Sequence, residues 1–233
     1  MRTFIIKMKM GRTEFLQYGA ILLAGYLLGL VLCFFLLRGE GEGEYVTLGT
    51  LMAATFAAFI HFFGSVFSFL GEFNMGISMG ATRKELVRSY ALFLFVQILL
   101  LEIVLVLSGM AEKAMLAKMM PGGELRFDLT AYMKPGYLLA IAAVMMVAEI
   151  FCGAVLLRFG MKAFWVLWAV WMISAVLLPR LLDNGRLSVL WNRLGLALGG
   201  HLTAAGIWTA VLAVTAILAG ISWGILRKQK VVV

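Results

Sequence analysis

Apolar residues run along this chain in long unbroken blocks, with polar residues confined to the gaps between them. Six blocks are long enough to cross about 30 Å of hydrocarbon as helices, which takes roughly 20 residues each. They lie near 15–37, 47–71, 90–111, 136–157, 161–179 and 203–226. The pattern predicts an all-α integral membrane fold, a single transmembrane domain over 1–233 with no soluble module and no internal repeat.

The gaps have patterns of their own. In 1–14, Phe4, Ile5 and Met8 share one helical face while Lys7, Lys9 and Arg12 lie elsewhere. This predicts a helix lying in the membrane interface, with a plain basic flank as the alternative. Gly39–Glu44 alternates Gly and Glu and reads as a flexible acidic turn. Between 112 and 135, Leu125, Phe127, Leu129, Ala131 and Met133 alternate with polar residues, which predicts an extended piece on the outer surface. Pro121-Gly122-Gly123 punctuates its start and Lys134-Pro135-Gly136 its end. Between spans five and six, Leu181, Leu182, Leu187, Val189, Leu190 and Trp191 are too apolar for a free loop. They predict short external helices dipping into the outer leaflet around a turn at Asp183-Asn184-Gly185, or else a surface helix. Gly25-x-x-x-Gly29 permits close helix packing, a spacing also found at dimer faces.

Composition agrees with the blocks: 63% of the 233 residues are hydrophobic, 14% are charged, and the mean hydropathy is +1.00. A soluble domain is nearer half apolar. The net charge of +8 has no soluble basic domain to sit on, which argues against a nucleic-acid partner. Its distribution reads as topology instead. Arg2, Lys7, Lys9 and Arg12, then Arg83, Lys84 and Arg88, then Arg158 and Lys162, then Arg227, Lys228 and Lys230 fall on one side. The positive charges on the other side are fewer, spread over longer loops, and offset by acids such as Glu40, Glu112 and Glu124. The first side is therefore expected to be cytoplasmic, with both termini inside a multi-pass protein. No small-residue cleavage site follows the first block, so it is expected to stay as a membrane helix. Cys33 and Cys152 lie within blocks and read as buried thiols, with no metal site.

Three ionisable residues fall deep in spans: His61, Glu102 and Glu149. A charge at the bilayer centre costs at least about 2.5–3.5 kcal/mol, so each must face protein or water. Two readings follow, a polar lining of a translocation path or a structural clamp such as His61 hydrogen-bonded to Glu149. Gln97 reads as interhelical glue. No zinc-protease, nucleophile-elbow or phosphate-loop motif is present, so no catalytic residue is assigned and the chain has no usual cradle for ATP.

The most distinctive stretch is the segment from Phe73 to Leu86, between spans two and three. Phe73 and Ile77 are apolar, Gly76 and Gly80 let the backbone turn, and Thr82 stands at capping-box spacing from Glu85. It reads as an amphipathic helix with a basic tip at Arg83, Lys84 and Arg88, with a mere topology loop as the alternative. Together with six spans and an N-terminal interfacial helix, the sequence Gly80-Ala81-Thr82-Arg83-Lys84-Glu85-Leu86 resembles the ABC-2 type permeases of bacterial exporters, Gram-positive ones in particular. The resemblance implies that this segment is a coupling helix between spans two and three that docks on a separate ATPase, through Gly80, Thr82, Arg83, Lys84 and Glu85. It implies a transmembrane permease in the bacterial cell membrane that pairs with a second copy or a related permease. ATP and Mg would bind the partner ATPase and no cofactor this chain. A membrane-embedded enzyme acting on lipid or peptide, using His61, Glu102 and Glu149 as acid–base groups, and a non-transporting sensor or immunity subunit are the rival classes.

Overall fold

The structure is a computed structural model that describes residues 11–37, 45–119, 125–127, 129–173 and 204–228. In chain order it runs α1 (Arg12–Leu37), β1 (Tyr45–Val46), α2 (Leu48–Ser78), α3 (Arg83–Met119), β2 (Leu125–Phe127), a short 3-10 turn (Leu129–Tyr132), α4 (Pro135–Phe159), α5 (Met161–Met172) and α6 (Ala204–Lys228). Among the described residues, five helices are long and apolar enough to cross a membrane, which makes this a multi-pass membrane chain: Arg12–Phe35, Leu48–Ser78, Arg83–Met119, Pro135–Phe159 and Val211–Lys228. Where a span over 161–179 was expected, α5 is 12 residues long and residues 174–179 lie outside the described residues. The N-terminal interfacial helix, the Gly39–Glu44 turn and the external helices of 180–202 fall largely or wholly outside them too. Residues 12–14 belong to the first turn of α1.

Contacts divide the chain into two compact units, Met1–Glu149 and Ile150–Val233. In the first, α1 packs on α2 along a seam of small residues. A Cβ added to Gly29 would stand 2.5 Å from both the Gly49 Cα and the Leu48 carbonyl, and one at Gly25 would stand 3.2 Å from the Ala53 Cα. The Gly25/Gly29 spacing is thus spent inside the chain, on the α1–α2 seam, and not on a dimer face. Leu22, Ala53, Ala57 and Leu105 continue the seam into a core edged by Tyr26, Leu101 and Met133. The Tyr26 hydroxyl donates to the Ser108 carbonyl at 3.3 Å, joining α1 to α3.

Helices α2 and α3 form an antiparallel hairpin whose contacts climb one helix as they descend the other. Leu86 fills the space over Gly76, Phe69 packs on Tyr90 at 4.9 Å between ring centroids, and Thr50 faces Gly109. At 31 and 37 residues these helices are about 46 and 55 Å long, well beyond the hydrocarbon thickness. The apolar block at 47–71 stops short of the end of α2, and that at 90–111 covers only the middle of α3. Two loop expectations change accordingly. No separate amphipathic helix stands between spans two and three, because α2 runs on to Ser78 and α3 starts at Arg83. The extended piece expected over 125–133 is confined to Leu125–Phe127, which pairs in parallel with Tyr45–Val46; a 3-10 turn follows.

Pro135 opens α4 at the position where its missing N–H and fixed φ suit a helix start. In the second unit, α4 stops at Phe159 and Gly160 takes φ +67 before α5 begins, so the tight basic turn between Arg158 and Lys162 is a glycine break. Ile150, Ala154, Leu156, Ala163, Ser222 and Leu226 are among its buried residues. Cys33 is buried and Cys152 partly so, and neither forms a disulfide.

Candidate functional site

Near the middle of α2, His61 is 2% exposed and sits among groups from three other helices. Its Nδ1 is 2.9 Å from Glu149 Oε1 of α4, and its Nε2 is 3.2 Å from Gln97 Oε1 of α3. Ser65, one turn along α2 on the same face, places its hydroxyl 3.4 Å from Nδ1. From α1, the Tyr18 ring lies over the imidazole at 4.8 Å between centroids, tilted by 47°. Gly64 makes this approach possible, since a Cβ there would collide with the Tyr18 hydroxyl. Tyr90 closes the side of the site by donating to the Ser65 carbonyl at 2.6 Å. Gln97 and Glu149 are 1% and 0% exposed, yet Gln97 Nε2 and Glu149 Oε2 have no partner among the described residues.

Of the three buried ionisable residues marked in the sequence, the fold joins His61 and Glu149 and leaves Glu102 apart. Glu102 is buried on α3, and both of its carboxylate oxygens lack a partner among the described residues. It lies about 7 Å along the helix axis from Gln97. Gln97 joins α2 to α3, the glue role read from its position. Ser65 had a signal, its four-residue spacing from His61. Tyr18 had none along the chain.

A second polar centre was missed. Glu112, placed in the external loop by hydropathy, lies within α3 and is fully buried. Its Oε1 accepts from the Gly49 N–H at 2.7 Å. Its Oε2 accepts from the Thr50 N–H at 2.7 Å and the Thr50 hydroxyl at 2.6 Å. The first turn of α2 leaves N–H groups open, and Thr47, at the N-cap, makes no side-chain cap bond. Glu112 therefore caps α2 from another helix, a placement that the helix dipole also favours. The sequence signal was faint: an N-terminus without an acid at capping-box spacing.

The hairpin tip is the third feature. Helix α2 ends in a Schellman motif: the Ala81 N–H bonds the Gly76 carbonyl at 3.0 Å and the Gly80 N–H bonds the Ile77 carbonyl at 2.9 Å. Gly80 takes φ +85, a conformation that suits glycine. Helix α3 is capped by Thr82, whose hydroxyl accepts from the Glu85 N–H at 3.3 Å. Gly80 thus turns the chain as expected. Gly76 does not turn; it stays helical and makes room for Leu86. Phe73, expected on an amphipathic surface, is a 2%-exposed core residue beside Phe69. Thr82, Lys84, Glu85 and Arg88 are exposed, Arg83 is half-buried, and Met75 and Met79 are 57% and 71% exposed beside them.

Comparison with family models, curated proteins and solved structures returns no match.

Proposed function

We propose that this chain is the transmembrane permease subunit of an ABC-2 type exporter in a bacterial cell membrane. The observation that carries the reading is the α2–α3 hairpin tip, closed on both sides by caps and bearing Gly80, Thr82, Arg83, Lys84 and Glu85. With His61 near the bilayer midplane, the end of α2 lies about 25 Å away along its axis, beyond a hydrocarbon half-thickness of about 15 Å. A stiff helical hairpin transmits a push where a flexible loop would absorb it. The tip combines positive charge with exposed methionine, a surface suited to a protein groove. On this reading the tip and both termini are cytoplasmic, and the tip docks on a separate ATPase that binds ATP and Mg. A second permease, identical or related, completes the transporter. His61, Glu102 and Glu149 are the polar groups past which a substrate moves.

The experiment is purification of the full chain from its native host in gentle detergent, with mass spectrometry of co-eluting proteins. A stoichiometric soluble ATPase supports the proposal, and Arg83→Glu should deplete it at least tenfold by reversing a docking charge. Undiminished co-purification with the Arg83→Glu chain, or no ATPase with the native chain, overturns the assignment.

A further inference from the structure

The centre around His61 contains an unresolved donor–acceptor problem. Both imidazole nitrogens face oxygens: Nδ1 faces Glu149 Oε1 at 2.9 Å, and Nε2 faces Gln97 Oε1 at 3.2 Å. Beside an ionised Glu149, a neutral imidazole, with one donor and one acceptor, cannot bond to both oxygens; a protonated Glu149 is the alternative, donating to Nδ1 while Nε2–H bonds Gln97. The imidazolium can bond to both, because both of its nitrogens donate. With Glu149 ionised, a neutral ring needs the Gln97 amide turned over, so that Gln97 Nε2 donates to the ring Nε2. The two ends of the amide are nearly the same size, so the exchange needs no repacking. In either state one end of the amide lacks a partner, as Gln97 Nε2 does here. A purely structural clamp gains nothing from such an orphan, whose lost hydration is not repaid when it is buried.

We propose that His61, Gln97 and Glu149 form a proton-binding site within the helix bundle, in which loading of one proton on His61 turns over the Gln97 amide. A proton from water adds to Nε2 of the neutral ring, while Nδ1–H stays on Glu149 Oε1. The amide N–H bond to Nε2 breaks, and the amide oxygen accepts the new Nε2–H. With Glu149 ionised, the site passes from one net negative charge to none. The groups facing the ring come from each packed helix: Tyr18 of α1, Ser65 of α2 itself, Gln97 of α3 and Glu149 of α4. Tyr90 of α3 acts through the Ser65 carbonyl. Glu102 lies further along α3, and Glu14 and Glu72 lie toward the hairpin-tip ends of α1 and α2. The site belongs to this chain alone and does not depend on an ATPase partner.

The test is nitrogen NMR of the full chain in lipid nanodiscs, with 15N in histidine and in the glutamine side chains. The sequence has two histidines, His61 and His201, so His201→Gln assigns the ring signals; Gln97→Glu assigns the amide by its loss. As the pH is lowered in steps, the widely separated ring resonances of a neutral tautomer should converge to the close pair of an imidazolium. The Gln97 side-chain resonance should shift with the same midpoint. A ring that keeps one protonation state at every pH at which the chain stays folded overturns the proposal. So does a ring that titrates while the Gln97 amide stays fixed.

Discussion

Glu112 offers the sharpest test of the packing, because its role is local and its bonds are countable. Two backbone N–H groups and a hydroxyl converge on one buried carboxylate at 2.6–2.7 Å. In Glu112→Ala both N–H groups lose their acceptor in a site that excludes water. At about 1–3 kcal/mol for each buried unmade bond, the loss is about 3–5 kcal/mol. Glu112→Gln keeps one acceptor oxygen but turns an NH2 toward a donor, so about half of that is lost. Chains of this size lose roughly 2–4 °C of melting temperature per kcal/mol, so the alanine variant should melt about 6–20 °C lower and the glutamine variant about 3–10 °C lower. Cys33 gives the readout. It is 6% exposed, and its Sγ lies 4.0 Å from the Val46 carbonyl, close to the capped end of α2. In a Cys152→Ser background, a thiol-reactive fluorophore reports when this end opens on heating in detergent. Lys118→Ala, on an exposed position of the same helix, is the control. If both Glu112 variants melt within about 2 °C of that control, the capping argument is refuted.

Gly29→Ala should destabilise by about 1–3 kcal/mol, because the new Cβ meets the α2 backbone at 2.5 Å and two helices must part. Gly19→Ala, with nothing within 4 Å, should be neutral or slightly stabilising in the same thermal melt. Gly80→Ala meets no neighbour but places a side chain at φ +85, so it should cost about 1 kcal/mol, and Gly80→Asn should cost less. For His61→Ala and Glu149→Ala, each single change strands a buried polar partner and should cost about 3–5 kcal/mol. The double variant should lose less than the sum, with a coupling of about 0.5–3 kcal/mol in a double-mutant cycle; strict additivity would deny the pairing.

The sequence alone determined what the bilayer demands. Long apolar blocks must become helices, because hydrocarbon offers no partner for an exposed peptide group. Residues whose backbone conformation is intrinsic were equally legible: Pro135 opens α4, Gly80 turns the hairpin, and Thr82 caps α3. Hydropathy could not place the helix ends, since α2 and α3 continue as helices after their apolar blocks stop. Only the tertiary structure decided that Glu112 is a buried cap and not a loop acid. It alone turned the Gly25/Gly29 seam toward Gly49, and it joined His61 to Glu149, the pairing that the clamp reading of the sequence offered. The reason is range. Hydropathy and glycine or proline geometry are properties of a residue and its immediate neighbours. Glu112 binds Thr50 at a separation of 62 positions and His61 meets Glu149 at 88. Such pairs exist only once helices have packed in a register that side-chain shape sets.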